Sequence, residues 1–128
     1  MKIISTTGAP EAIGPYSQAI QVGDMLYTSG QIALTPAGDM LDGSIHDQTH
    51  QVLKNLGEVL ATVDATYNDV IKTTIFLEDM DDFLAVNTVY AEYFGEHKPA
   101  RSTVAVRELP KHAKVEIECI AKVMQYNY

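Results

Sequence analysis

Apolar residues recur along this chain in two rhythms, and the switches between them predict its elements. Period-two or short apolar runs mark strands at 2–5, 19–22, 25–29, 70–77, 101–106 and 114–123. Ala19 to Val22 and Met25 to Ser29 flank Gly23-Asp24, which predicts a hairpin. In the last strand Val115, Ile117, Cys119 and Ala121 share one face, and Glu116 and Glu118 share the other. Two stretches follow the three-and-four step of a helix. One, over 45–63, carries Val52, Leu53, Leu56, Val59, Leu60 and Val63, with Ser44 and Asp47 placed as a cap. The other, over 81–94, carries Phe83, Val86, Val89, Tyr90 and Phe94 and ends at Gly95.

The remaining signals are local. Gly8, Pro10, Gly14 and Pro15 make 6–17 a structured loop, and Pro36, Gly38 and Gly43 make 33–43 an irregular, exposed one. Thr66 and Asp69 spell a second cap before the 70–77 strand. That strand should turn Ile71, Thr73, Ile75 and Leu77 to one side and Phe76 to the other. Gly57, inside the first helix, would let that helix lie close to a sheet.

The order is β-β-α-β-α-β-β, with 2–5 as an added edge strand. It describes one α+β domain over residues 1–128, with both helices on one face of the sheet. The other face keeps Phe76 and Ile120 without cover. A homo-oligomer packed sheet to sheet is therefore expected.

A net charge of −8 opposes general nucleic-acid binding, which needs a basic surface. One cysteine, Cys119, permits no intrachain disulfide and reads as a core thiol in a reducing compartment. The first residues carry no secretory pattern, and no run of apolar residues is long enough to span a membrane. The cytoplasm is the expected location.

Arg101 opens a strand beside Pro99 and among the small residues Ala100, Ser102 and Thr103. Its planar guanidinium fits a carboxylate or phosphate with two hydrogen bonds. A hairpin between the last two strands would bring Glu116 toward the polar end of the Arg101 strand. The pair then reads either as a structural ion pair or as a small polar site in which a carboxylate orients water. Tyr16, stiffened by Pro15, either covers a pocket or packs. Asn87 could hydrogen-bond the 95–100 loop, and Gly30 marks either a close approach or a turn. His46 and His50 share a helix face without a third ligand, so no metal is expected. No phosphate loop, dinucleotide fingerprint or serine triad is present, and no organic cofactor is expected.

Four blocks together resemble the RidA (YjgF) family of enamine/imine deaminases: Gly14 to Ala19, Leu26 to Ile32, Val70 to Leu77, and Pro99 to Val104 with Val115 to Glu118. The resemblance implies a chorismate-mutase-like fold, a homotrimer with pockets between subunits, and no cofactor. It implies hydrolysis of the imines of 2-aminoacrylate and 2-aminocrotonate to 2-oxoacids and ammonia. By the same resemblance Arg101 holds the substrate carboxylate and Glu116 positions water, while Tyr16, Ser29, Gly30 and Asn87 shape the pocket. Thr103 stands where many members have cysteine, and the 95–100 loop is a few residues shorter, so a shifted substrate preference is expected. A non-enzymatic 2-oxoacid-binding or regulatory module is the alternative. A ribonuclease role, also attached to this family, is opposed by the acidic charge.

Overall fold

A computed structural model describes residues 1–124. Six strands form one mixed sheet in the order β1-β2-β3-β6-β4-β5. They are β1 (Lys2–Ile4), β2 (Ala19–Val22), β3 (Met25–Thr28), β4 (Val70–Leu77), β5 (Ala100–Ala105) and β6 (Val115–Lys122). Helix α1 (Ile45–Ala61) links β3 to β4, and α2 (Phe83–Phe94) links β4 to β5. Both helices pack on one face, as the element pattern implied.

The last two strands do not form the expected hairpin. β5 pairs parallel with β4, while β6 crosses back and inserts antiparallel between β3 and β4. A strand buried on both sides gains two hydrogen-bonded ladders, which an edge hairpin would forgo. The apolar set Val115, Ile117, Cys119 and Ala121 is fully buried beneath the helices. β5 is left as an edge.

A second correction concerns β4. Val70 pairs with Ala121 and Lys72 with Ile120, so Ile71 is an extra residue in a bulge. The bulge throws Ile71 out to 47% exposure and resets the alternation, leaving Val70, Thr73, Ile75 and Leu77 buried. The expected open face is real. Ile3, Val22, Tyr27 and Val104 are exposed on it, with Phe76 and Ile120 partly so. The 33–43 loop is more ordered than its composition suggested. Leu34 and Met40 bridge, and Ala33 is fully buried.

Ser44 caps α1 through Asp47 N (3.1 Å), and Thr66 and Asp69 form a reciprocal capping box on a single turn at Tyr67–Asp69. α2 begins two residues later than expected, after a tight turn at Met80–Asp82 capped by Asp79. Gly57 faces Tyr67 rather than the sheet. A Cβ there would overlap the Tyr67 hydroxyl, which donates to Leu53 O at 2.6 Å, and would lie 2.9 Å from its Cζ. G57A is therefore expected to destabilise by about 1–3 kcal/mol despite the better helix propensity of alanine. Urea unfolding checks this, and a G57A protein as stable as wild type would contradict it.

Burial pushes the Cys119 thiol up to about 12; the Thr28 hydroxyl beside it lowers it slightly and Glu118 raises it. Cys119 is expected to resist thiol reagents at pH 8 in the native protein and to react only on unfolding. Labelling of the folded protein at the rate of a free surface thiol would refute this.

Candidate active site

The strand register decides where the candidate residues point. Arg101 is opposite Thr73 and Thr103 opposite Ile75, and both partners are buried under the helices. Arg101 and Thr103 therefore lie on the helix side of the edge strand. Glu116 is opposite Phe76 and alternates with buried Val115 and Ile117, so it lies on the open face. The sheet itself separates the two charges, with β4 between their strands. Among the described residues no carboxylate comes within 4.0 Å of Arg101, which removes the internal ion pair as its explanation.

Arg101 is held instead by aromatic rings. Its guanidinium carbon lies 5.1 Å from the Tyr90 ring centre and 5.6 Å from that of Phe83. Tyr90 is rigid: its hydroxyl meets Thr73 Oγ1 at 2.8 Å and its ring stacks on Phe94 at 4.2 Å. Burial raises the Tyr90 phenol, while Thr73 and Arg101 partly lower it. These α2 rings were assigned only to the core from their spacing. The sequence signal for their second role is their i, i+7 placement along one helix face opposite the arginine strand. Asn87, Tyr90, Gly95, Pro99 and Arg101 line one cleft of about 470 Å³.

Asn87 makes no hydrogen bond to the 95–100 loop. Among the described residues its Oδ1 is buried without a partner, and so is Thr103 Oγ1. The loop is tied by His97, whose Nε2–H donates to Val70 O at 2.6 Å. On α1, His50 is engaged by the Tyr93 hydroxyl at 2.9 Å.

The second group of candidates gathers around Glu116. Tyr16, Ser29, Gly30 and Glu116 line a cavity of about 570 Å³, together with Gln31 and Lys111. Gln18, which sequence reading passed over, builds this wall. It is buried; its Oε1 accepts from Thr6 N at 2.7 Å and its Nε2 donates to Pro10 O at 2.7 Å. That clamps the loop carrying Tyr16. Ser29 ties the same loop, donating to Ser17 O at 2.5 Å. Tyr16 is itself 55% exposed, so it stands at a mouth rather than in a core. Lys111 and His112 both have φ of 55°, a left-handed conformation unusual outside glycine. Burial raises the Glu116 carboxyl above its usual range, and Glu118 adds to the shift.

The chain thus presents an anion-ready arginine cleft and a carboxylate cavity on opposite faces of one sheet. The uncovered edge of β5 lies between them. An orphaned buried hydroxyl costs about 1–3 kcal/mol, so T103V is expected to raise stability by about 1 kcal/mol. Chemical denaturation checks this, and a loss of stability would show that Thr103 Oγ1 has a partner.

A family model described as Endoribonuclease L-PSP matches residues 6–123. The sequence is 50% identical over 121 residues to the 2-iminobutanoate/2-iminopropanoate deaminase of Mus musculus, covering 94% of this chain and 90% of that protein. It is 51% identical over 121 residues to the Reactive Intermediate Deaminase A, chloroplastic, of Arabidopsis thaliana, covering 94% of this chain and 65% of that one. The crystal structure of E. coli TdcF with bound serine superimposes with a TM-score of 0.92 at 41% identity, covering 97% of this chain and 100% of that one. That of yeast Mmf1 superimposes with a TM-score of 0.94 at 40% identity, covering 96% and 98%.

Proposed function

The chain belongs to the RidA (YjgF) family, and on that premise we propose that it hydrolyses the imines of 2-aminoacrylate and 2-aminocrotonate to 2-oxoacids and ammonia. The observation that carries this reading is Arg101. It is a rigidly backed guanidinium at the rim of a cleft, with no carboxylate of the described chain to neutralise it. Such a group takes a small carboxylate with two charge-assisted hydrogen bonds.

Glu116 cannot reach a ligand on Arg101 of its own copy, because the sheet lies between them. In the proposed assembly, a homotrimer, the apolar open face is covered by neighbours, and Arg101 of one copy meets the Glu116 cavity of another. Tyr16, Ser29 and Gly30 then contribute walls from the Glu116 side, and Asn87 and Thr103 from the Arg101 side.

The reaction asks little beyond position and charge. A protonated imine carbon is already electrophilic. Glu116 orients a water and accepts its proton as the oxygen adds to C2, giving a carbinolamine. Proton transfer to nitrogen and cleavage of the C–N bond release ammonia and leave the 2-oxoacid. The raised proton affinity of Glu116, caused by burial and by Glu118, suits a group that takes and returns a proton. No step draws on a metal or an organic cofactor.

The test is a coupled assay in which a threonine dehydratase generates 2-iminobutanoate and release of 2-oxobutanoate is followed with and without this protein. Acceleration is expected. R101A should lower kcat/KM by about 100-fold or more while the protein stays folded, since Tyr90, which braces the arginine, is held by Phe94 and Thr73 without it. Normal turnover by folded R101A would remove Arg101 from the role. Binding of 2-oxobutanoate by wild type with no turnover would replace the enzyme by a 2-oxoacid-binding module.

A further inference from the structure

Gly30 is not a turn residue. Its φ lies outside the left-handed region, and it stands two residues past the end of β3. Conformation therefore gives no reason for glycine here, and space does. A Cβ built on Gly30 would lie 2.8 Å from Glu116 Cδ, 2.9 Å from Cγ and 3.0 Å from Oε2. The carboxyl end of Glu116 rests on the bare Cα.

The backbone is held on both sides of that contact, which leaves the Glu116 side chain as the part that gives way to any added atom. On one flank Gln31 exchanges backbone hydrogen bonds with Ile117, Gln31 N to Ile117 O at 2.9 Å and Ile117 N to Gln31 O at 3.1 Å. On the other flank Ser29 N donates to Gln18 O at 2.9 Å, and Ser29 Oγ to Ser17 O. The peptide carrying Gly30 is thus pinned to β6 next to Glu116 and to the loop that carries Tyr16. Glu116 is fixed in turn by the burial of Val115 and Ile117.

We propose that Gly30 is the positioning residue of Glu116, its missing side chain being the seat that holds the carboxylate against the backbone inside the cavity. This rests on the reading of Glu116 as the group that handles water. With any larger residue the carboxylate swings out toward bulk water. The same contact accounts for the half-buried state of Glu116 and so for the main cause of its raised proton affinity. The other charges facing Glu116 stay in place: Glu118 on its own strand, and Glu11 and Lys111 across the cavity. β4 presents the uncharged Phe76 opposite it, and in the proposed assembly Arg101 arrives from a neighbouring copy.

The experiment compares wild type, G30A, E116A and G30A/E116A as full-length protein. Imine turnover is measured over a range of pH, and the Glu116 carboxyl is titrated by carbon NMR. G30A is expected to lower kcat by about 100-fold, the scale of a misplaced reacting group, with KM within about twofold. Its Glu116 midpoint should fall toward the ordinary carboxylate value, and the acid limb of any residual activity should move to lower pH with it. In the E116A background, where the seat is empty, most of the G30A penalty on turnover should vanish, and G30A should not lower the melting temperature further. A G30A penalty that persists undiminished in the E116A background would overturn the proposal, as would an unchanged Glu116 midpoint. Should G30A alone fail to fold, recovery of folding in G30A/E116A supports the seat, and failure of the double variant overturns it. Absence of turnover in wild type would sink the deaminase reading, and the NMR midpoint would still decide the seat.

Discussion

The central position of β6 is the constraint on which the rest depends. Its alternation of apolar and acidic residues commits Val115, Ile117, Cys119 and Ala121 to the helix-covered core. The strand cannot rotate without exposing all four, so Glu116 and Glu118 are forced onto the open face. Insertion between β3 and β4 also makes β5 an edge strand, since β5 must then pair with the far side of β4. The carboxylate and the arginine are parted by this single topological choice.

That separation changes what the residues mean. Within one copy the described residues leave Arg101 a cation with no anion beside it and Glu116 a carboxylate lifted in proton affinity by burial. The open face that carries Glu116 also exposes Val22, Tyr27 and Val104. In the proposed assembly that apolar surface is the reason for copies to associate, and association would bring the halves together.

The two halves are stiffened differently. Arg101 is steadied by Tyr90, whose own place is set by a stack on Phe94 and a hydroxyl pair with Thr73. Glu116 is steadied by absence, a missing Cβ at Gly30, with the loop carrying Tyr16 clamped by Gln18 just beyond. Preorganisation of this sort is what the proposed chemistry, a matter of positioning and charge, would draw on.

The sequence by itself determined the element order, the buried stripes of α1 and β6, the caps at Ser44 and Thr66, the uncovered face and the residue types of the candidate site. Each of these is a local matter of period, spacing or side-chain chemistry. Only the tertiary structure decided that β6 enters the middle of the sheet and that Ile71 is bulged out. It alone decided that Asn87 is unpartnered, that Gly57 answers to Tyr67, and that Gly30 answers to Glu116. The physical reason is that strand pairing and close approach join residues far apart in the chain. Hydrophobic period tells a strand which side to bury but not which neighbour to pair with, and a glycine shows the lack of a side chain but not what occupies the space.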